Sequence, residues 1–363
     1  MNTNALMVLA LAASALITSA QEPRVTHTQF HSGPVSLGLS ATVDRFRHSN
    51  GPLWLGYAVP ALPRTHASAC SFGTGSSDVE GGCCNELQLE DRGDNLNVTD
   101  SASPAPGVAV SREVLFRLDH GEITKTRVVP VGCTLDAGGV PFEWLTDVQP
   151  EDSAAFLGKL AQNAAALRDS AAGHGGAVDE NLAALSMHAT PRATEVLVSL
   201  ASPESSAYLR EKAAFWLGAE RGHEGLLALR QVVRSEQDGK LREKLTFDLS
   251  INSDPGAMDD LIELAKFDAD SRVRAQALFW LAQKAGKKAI STLNASIEND
   301  PNFEVKKKAV FALSQLPREE SVPQLVHVAD TNSNFAVRKE AIFWLGQTND
   351  PRALAYIEQV LKR

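Results

Sequence analysis

The chain has 363 residues and a net charge of −9, with 44% hydrophobic and 22% charged residues. This composition is typical of a globular protein. The acidic balance excludes a global basic field of the kind that attracts nucleic acid, so no nucleic-acid partner is expected. Beyond the first twenty residues, no apolar run reaches the length of a membrane-spanning helix.

The first twenty residues have the features of a secretory signal peptide. An apolar stretch runs from Ala5 to about Ile17, and Thr18 and Ala20 occupy the two positions that a signal peptidase recognises. The segment before it lacks Lys and Arg, and a buried or membrane-anchoring helix is the alternative interpretation. We expect residues 1–20 to be removed, Gln21 to begin the mature chain, and the protein to be periplasmic or secreted with no membrane span after cleavage.

Export gives the cysteines a meaning. The chain has four, Cys70, Cys83, Cys84 and Cys133, all within one segment. In an oxidising compartment an even set of this kind indicates disulfides. Because neighbouring cysteines rarely bond to each other, the expected pairing joins Cys70 to one of Cys83 and Cys84, and Cys133 to the other. A metal site that includes His66 and a set of free thiols are the alternatives, although adjacent cysteines are irregular for zinc.

Residues 21–149 are predicted to form a β-rich domain that contains all four cysteines. The segments 36–46 (SLGLSATVDRF) and 53–62 (LWLGYAVPAL) are predicted strands, because both are short β-branched or aromatic runs bounded by Gly and Pro. Residues 114–129 predict a hairpin that turns at Asp119-His120-Gly121, where Gly121 tolerates a positive φ.

From Pro150 the pattern becomes helical, so residues 150–177 are predicted to form a linking helix and residues 178–363 a repeat. The letters FWL occur three times, at 215–217, 279–281 and 343–345, and aligning the region against itself gives a period of 32. Each unit has one phenylalanine at the same position: Phe215, Phe247, Phe279, Phe311 and Phe343. We call these five residues the phenylalanine row.

A basic residue recurs five positions before each of these phenylalanines. It follows a Val or Leu and forms the arginine row, which consists of Arg210, Arg242, Arg274, Lys306 and Arg338. Each unit also has two amphipathic stretches of about 12 residues. One helix pair cannot bury its apolar stripe alone, but stacked pairs can. The predicted fold class is therefore α+β: a C-terminal α-solenoid of about six helix pairs, preceded by a small, β-rich, disulfide-linked domain.

The stretch VRKEAIFWLGQTNDPRALAYIEQVL (337–361) resembles a HEAT repeat of the short bacterial type, which is also found in phycobilisome lyases. The pattern of Val-Arg, Ala, aromatic-Leu-Gly and Asp-Pro stays in register through five units, and the resemblance covers roughly residues 178–363. It implies that the Val-Arg helix lines the concave side of the solenoid and that each Arg pairs with an acid in the preceding turn. Asp268 and Asp300 stand six residues before Arg274 and Lys306, as this pairing requires.

The resemblance implies protein binding and scaffolding far more often than catalysis. The metal-dependent hydroxylases among HEAT proteins carry several His-Glu pairs, whereas this chain has one, at His223-Glu224. A chromophore lyase activity would rest on the family name alone. A nucleophile pair of His66 and Cys70 is a further alternative, but a cystine would lack the reactive thiolate. We therefore expect no metal, no cofactor and no catalytic residues.

The phenylalanine row is the candidate site. On a helical wheel Phe343 falls nearly opposite the stripe formed by Val337, Ala341, Trp344 and Leu345. One interpretation is that each Phe packs flat between neighbouring helices. The other is that the row forms the floor of an apolar groove for a protein or peptide. Lysines of the same helices flank it: Lys212, Lys244, Lys308 and Lys339.

Two functions from different classes follow. The first is an exported, non-enzymatic scaffold that binds a protein or peptide on the concave face of the solenoid. The second is an enzyme or ligand carrier whose chemistry lies in the β-rich domain, with the solenoid as a docking arm. The β-rich part matches no family motif, and two repeat units depart from the pattern, with Asp248 and Ala312 where the others carry Trp.

Overall fold

The computed structural model describes residues 22–49, 51–63, 87–90, 110–169 and 176–362. A sheet-rich part comes first and a helical part follows from Pro150. The strands are β1 (Arg24–Thr26), β2 (Phe30–Pro34), β3 (Leu53–Ala61), β4 (Leu87–Gln88), β5 (Val110–Asp119), β6 (Glu122–Pro130), β7 (Thr134–Asp136) and β8 (Phe142–Thr146).

Among the described residues, one helix lies within the sheet-rich part, and the rest form the C-terminal part. They are α1 (Leu39–Phe46), α2 (Pro150–Asp169), α3 (Gly176–Ser186), α4 (Pro191–Leu200), α5 (Ala207–Glu220), α6 (Gly222–Ser235), α7 (Gly239–Ile251), α8 (Ala257–Phe267), α9 (Ser271–Ala285), α10 (Ile290–Asn299), α11 (Phe303–Ser314), α12 (Arg318–Thr331), α13 (Phe335–Gln347) and α14 (Pro351–Leu361). A short 3-10 helix, Gly286–Ala289, leads into α10.

The main sheet has the strand order β2-β8-β3-β5-β6. Strand β8 runs parallel to both β2 and β3, whereas β3, β5 and β6 are antiparallel neighbours. A second sheet has the order β1-β7-β4 with parallel pairing. The consecutive strands β1 and β2 therefore run alongside the consecutive strands β7 and β8.

The predicted hairpin is confirmed, and so is the strand predicted at 53–62. Strands β5 and β6 meet at a two-residue turn in which His120 (φ 50°) and Gly121 (φ 80°) both adopt left-handed conformations. Such a turn matches the twist of the two strands that it joins. The strand predicted at 36–46 is wrong, because Leu39, Val43 and Phe46 have the spacing of a helix face and belong to α1.

The two faces of the main sheet enter different apolar cores. Along β3, Leu55 and Tyr57 face the core that continues through α2 into the helical repeat. Trp54 points the other way, into a smaller core that it shares with Leu135 and Phe142. Because alternate residues of a strand face opposite sides, both sides of β3 are buried. The sheet therefore covers the N-terminal end of the solenoid.

A buried chain of hydrogen bonds crosses the junction between sheet and helices. The hydroxyls of Tyr57 and Ser153 are 2.7 Å apart, Ser153 Oγ lies 2.7 Å from His188 Nε2, and His188 Nδ1 lies 2.8 Å from the carbonyl oxygen of Ala184. Since a carbonyl only accepts, Nδ1 of the neutral ring carries the proton and Nε2 accepts from Ser153. Arg221 donates to the carbonyl of His188 and fixes the same loop.

The helical part confirms the predicted solenoid. Helices α3 to α14 form successive pairs, and the pairs stack with their first helices in one layer (α3, α5, α7, α9, α11, α13) and their second helices in another. Neighbouring first helices pack more closely than neighbouring second helices do. The stack therefore curves toward the layer of first helices, which forms its inner side.

Short polar side chains begin most of the first helices. At each of these positions the side-chain oxygen accepts a hydrogen bond from the backbone N–H two residues ahead, as an N-cap does. The residues are Asp238, Asp270, Asn302 and Asn334. Because one such cap recurs in each of these units, each of them begins its inner helix at an equivalent point.

Several sequence predictions fall outside the described residues. These are the signal peptide at 1–20 and three of the cysteines, Cys70, Cys83 and Cys84. Cys133 is described and lies buried in the smaller core beside Leu135. Disulfide bonding and export therefore stay predictions. Within the described ranges no helix is both long enough and apolar enough to cross a bilayer.

Candidate functional site

The phenylalanine row lies on the inner layer of the solenoid and is partly open to solvent. In the last unit Val337, Ala341 and Leu345 are fully buried, whereas Phe343 is 54% exposed. Phe247 is 37% exposed, and Phe215, Phe279 and Phe311 are half-buried. The row therefore both packs between helices and presents ring edges to the groove.

The rings touch one another from unit to unit. The rings of Phe215 and Trp216 meet edge to face at 5.2 Å between centroids, and Phe215 stacks on Phe247 at 6.3 Å with 12° between the planes. Phe247 in turn lies 5.0 Å from Trp280 of the following unit. A Cβ at Gly218 would stand 2.4 Å from the carbonyl oxygen of Asp248, so only glycine lets α5 and α7 approach this closely.

The same geometry recurs two units later. Phe279 meets Trp280 edge to face at 4.9 Å and stacks on Phe311 at 6.2 Å with parallel planes, and Phe311 lies 4.9 Å from Trp344. Phe343 closes the series against Trp344 at 5.0 Å. We call these eight rings the aromatic ladder: Phe215, Trp216, Phe247, Phe279, Trp280, Phe311, Phe343 and Trp344.

The ladder has a period of two units, which sequence analysis missed. At the positions of Asp248 and Ala312 a unit carries no Trp, so the indole of the next unit leans over the preceding phenylalanine. This explains why the letters FWL recur in every second unit although the helices recur in every unit. The alternation of Trp with Asp or Ala was visible in the sequence and was the signal for this order.

The lysines predicted to flank the row differ in their surroundings. Lys212 forms an ion pair with Asp179 at 3.0 Å, and Lys244 forms one with Glu211. Lys308 stands 5.8 Å from the centre of the Phe311 ring, at the distance of a cation–π contact. Lys339 is exposed on α13. The structure therefore places Lys212, Lys244 and Lys308 beside the ladder, with the first two held by acids.

Two cavities open along the ladder. The first has a volume of about 650 Å³ and is lined by Phe215, Phe247, Asp248 and Trp280 among others. The second has a volume of about 470 Å³, and its lining includes Phe279, Phe311 and Lys308. Each is large enough for one or two amino-acid side chains, and both have aromatic walls with charged groups around them.

The arginine row is structural, but its predicted acid partner was wrong. Arg274 donates to Asp300 from Nε at 2.7 Å and from Nη2 at 2.9 Å, and Asp300 lies in the following turn. The preceding turn supplies a backbone acceptor instead, since Nη1 donates to the carbonyl of Asp268 at 2.8 Å. The side chain lies between two units, so Nε and Nη2 bind the carboxylate of the following turn while Nη1 binds the backbone of the preceding turn.

The other members of the arginine row follow this pattern in part. Arg210 pairs with Glu236, and Arg242 pairs with Asp268 through two hydrogen bonds. These hydrogen bonds raise the pKa of Arg242 above its usual value, since the carboxylate favours the charged guanidinium. Lys306 and Arg338 donate to backbone carbonyls. The row therefore joins consecutive units through hydrogen bonds to carboxylates and backbone carbonyls.

The metal-site alternative that includes His66 and Cys70 falls outside the described residues. Nowhere in the described ranges do three or more His, Cys, Asp or Glu side chains converge as metal ligands would. His223, in the single His-Glu pair of the repeat region, is exposed in the first turn of α6 and lies 2.6 Å from Asp254. This histidine therefore forms a contact between two consecutive units, since Asp254 belongs to the turn before α8.

Comparison with known proteins identifies the repeat. A family model described as HEAT repeats matches residues 258–334 and 290–363. No curated protein matches the chain. Among solved structures, one of human deoxyhypusine hydroxylase in complex with glycerol is similar at 18% identity, over 58% of this chain and 90% of that chain, with a TM-score of 0.29. The helix pairs, their period and the family match together identify residues 258–363 as HEAT repeats, within a helical repeat region that follows a sheet-rich N-terminal part.

Proposed function

We propose that this protein is an exported, non-enzymatic scaffold that binds a segment of a partner protein along the inner face of its solenoid. HEAT repeats suggest a protein-interaction scaffold. The observation that carries the proposal is the aromatic ladder, in which eight rings touch in series while Phe247 and Phe343 stay more than one-third exposed. A continuous apolar strip of this kind is characteristic of a surface that a partner covers.

The spacing of the units favours an extended partner segment. Packed helices lie about 8–10 Å apart, so the phenylalanines of successive units recur at about that distance. A polyproline II segment has three residues per turn and rises about 3.1 Å per residue, so it presents the same face about every 9 Å. Apolar side chains at every third position of such a segment would meet successive rings. The two cavities would hold the larger ones.

The enzyme alternative gains no support from the described residues of the sheet-rich part. The described pair that most resembles a nucleophile and its base lies beside this part, and consists of Ser153 of α2 with His188 of the loop after α3. Both side chains are almost completely buried. Ser153 Oγ is also hydrogen-bonded to the hydroxyl of Tyr57, and His188 Nδ1 donates to the carbonyl oxygen of Ala184. A substrate would have no path to Ser153 Oγ, and the pair is better explained as part of the junction between sheet and solenoid.

The test uses an array of short peptides that vary in apolar content and proline spacing. Wild-type protein is expected to retain peptides with apolar side chains three residues apart. The double variant Phe279→Ala/Phe311→Ala is expected to bind them at least tenfold more weakly, because it removes one stacked pair of rings from the ladder. Fluorescence anisotropy on the selected peptides would give the dissociation constants.

Phe267→Ala is the matched control. Phe267 is 77% exposed, but it ends α8 in the outer layer, away from the ladder. The same loss of binding in Phe267→Ala as in the double variant would contradict the proposal, since it would reflect a general need for exposed phenylalanine. Unchanged binding in the double variant, or retention of no peptide by the wild type, would also contradict it.

A further inference from the structure

Asp248 breaks the repeat pattern in a place where a carboxyl group is costly. It stands one unit after Trp216 and one unit before Trp280, at the position that carries an indole in those units. Only 4% of Asp248 is exposed. Across the described chain its carboxyl group has neither a hydrogen bond nor an ion pair. Buried carboxyl groups are almost always paired, so an unpaired one indicates a use that the free protein does not show.

Asp248 is one of the residues that line the first cavity of the ladder. It lines this space of about 650 Å³ together with Phe215, Phe247 and Trp280, so an acid and three aromatic rings border the same volume. The faces of aromatic rings attract cations, and the attraction grows when water is excluded. A carboxylate beside such rings adds the opposite charge. The combination suits a cationic group that also has an apolar stem.

None of the described charged residues that line the cavity forms an ion pair with Asp248. Three of the cations that face it are engaged by acids: Lys212 by Asp179, Lys244 by Glu211, and Arg272 by Asp270. The remaining charged groups of the lining are Lys240, which is exposed, and Glu243. Glu211 raises the pKa of the Asp248 carboxyl further after burial has raised it, since two like charges oppose ionisation. The cavity thus has an acid that lacks a counter-ion.

We propose that this cavity holds the cationic end of a lysine or arginine side chain from the bound partner segment, with Asp248 as its counter-ion and Phe215, Phe247 and Trp280 around its stem. This inference rests on the proposed function, because it names one side chain of the segment that the ladder binds. It gives the two stacked phenylalanine pairs of the ladder different preferences for charge. Two units after Asp248 the same position is Ala312, so the second stacked pair, Phe279 and Phe311, lacks the acid.

The experiment uses two small probes, Nα-acetyl-arginine amide and Nα-acetyl-citrulline amide, which differ in charge but hardly in shape. Each is titrated against the full-length protein while the indole N–H resonance of Trp280 is followed by NMR. The arginine probe is expected to shift that resonance saturably and to bind at least tenfold more tightly than the citrulline probe. In Asp248→Asn, whose side chain keeps its shape without the charge, the arginine probe is expected to bind no better than citrulline.

Equal binding of the two probes by the wild type, or undiminished arginine binding by Asp248→Asn, would overturn the inference. Thermal melting of the variant, which is expected to be at least as stable as the wild type, separates lost charge from lost folding. Peptides that bind the ladder without a preference for lysine or arginine would overturn this inference and leave the proposed function standing. Probe binding at Asp248 in a protein that binds no apolar peptide would overturn the proposed function instead.

Discussion

Arg274 and Asp300 form a two-point hydrogen-bonded ion pair, at 2.7 and 2.9 Å, between residues that lie 26 positions apart in the sequence. Both side chains are less than one-tenth exposed. The carboxylate of Asp300 serves its own turn as well, since Oδ1 also accepts the backbone N–H of Asn302. One carboxylate therefore shapes its own turn and holds the helix of the preceding unit, and the stacking of units depends on it.

The ion pair should be worth more than its surface counterparts. Asp300→Asn keeps an acceptor for the Asn302 N–H but leaves the buried guanidinium of Arg274 without its counter-ion. Removing one partner of a buried pair costs about 3 kcal/mol or more, and we expect a loss of that size in urea unfolding followed by circular dichroism. Lys306→Met is the control, with an expected loss below about 1 kcal/mol, because Lys306 donates only to a backbone carbonyl. Equal losses in the two variants would contradict the assigned role.

The phenylalanine row should contribute less to folding than the stripe beneath it. Leu281 is fully buried, and Leu281→Ala is expected to cost about 3–5 kcal/mol because it opens a cavity. Phe279 is half-buried, so Phe279→Ala should cost roughly half as much, since its exposed edge contributes nothing to the core. Denaturant unfolding of the two variants side by side measures this difference. An equal, large loss in Phe279→Ala would show that packing alone accounts for the row at that position.

Asp248 should lower the stability of the free protein at neutral pH. Burial, and then the charge of Glu211, raise the pKa of its carboxyl well above the usual value. Between the usual value and the raised one, the folded chain binds the proton that the unfolded chain has lost, so stability falls as pH rises through this window. Asp248→Asn does not titrate. Its free energy of unfolding, minus that of the wild type, is therefore expected to increase with pH, and a difference independent of pH would be evidence against a buried acid.

His188 should produce a pH dependence of the opposite sign. Burial lowers its pKa from 6.5 to about 4, and Arg221 nearby opposes its protonation as well. Between these two values the unfolded chain binds a proton that the folded chain does not, so stability falls as pH drops from 6.5 to about 4 and levels off below that. The total loss is on the order of 3 kcal/mol. The difference between wild type and His188→Gln, measured across this range, isolates the effect, and a flat difference would contradict it.

Export and the cysteines give one further prediction. The mature protein is expected to begin at Gln21 by intact mass and to show no thiol reactive without denaturant. Each disulfide would add about 2–4 kcal/mol, mainly by restricting the unfolded loops. Reduction should loosen the sheet-rich part and leave the solenoid helical by circular dichroism. Retention of Met1 in a cytoplasmic form would contradict both export and the disulfide argument, and four reactive thiols in the native protein would rule out the bridges.

The solenoid could be predicted because its signal is redundant. Every unit repeats the same buried stripe, and positions such as Val337, Ala341 and Leu345 lie one full period from their equivalents, so an error at one unit is corrected by the next. The segment 36–46 had no such repetition. Leu39 and Val43 are apolar residue types that also occur in strands, but their separation of four positions is that of a helix face. The prediction followed residue type, because so short a stretch does not repeat the helical spacing.

The site was predictable in position but not in detail. The helical wheel placed Phe343 and its equivalents away from the buried stripe, because that depends only on residue number within one helix. Which unit an arginine reaches depends on how helices stack, so Arg274 was assigned to the wrong turn. The burial of Asp248 depends on the close approach of two helices at Gly218, which a single helix cannot reveal.

The two-unit order of the aromatic ladder makes the solenoid a chain of double-unit cassettes rather than of single repeats. Deletion of one unit, such as residues 247–278, would set Trp216 and Trp280 in adjacent units, where two indoles would compete for the space over one phenylalanine. Deleting residues 247–310 instead would place Ala312 after Trp216 and keep the alternation. Natural relatives and engineered versions of this protein should therefore differ in length by even numbers of repeats.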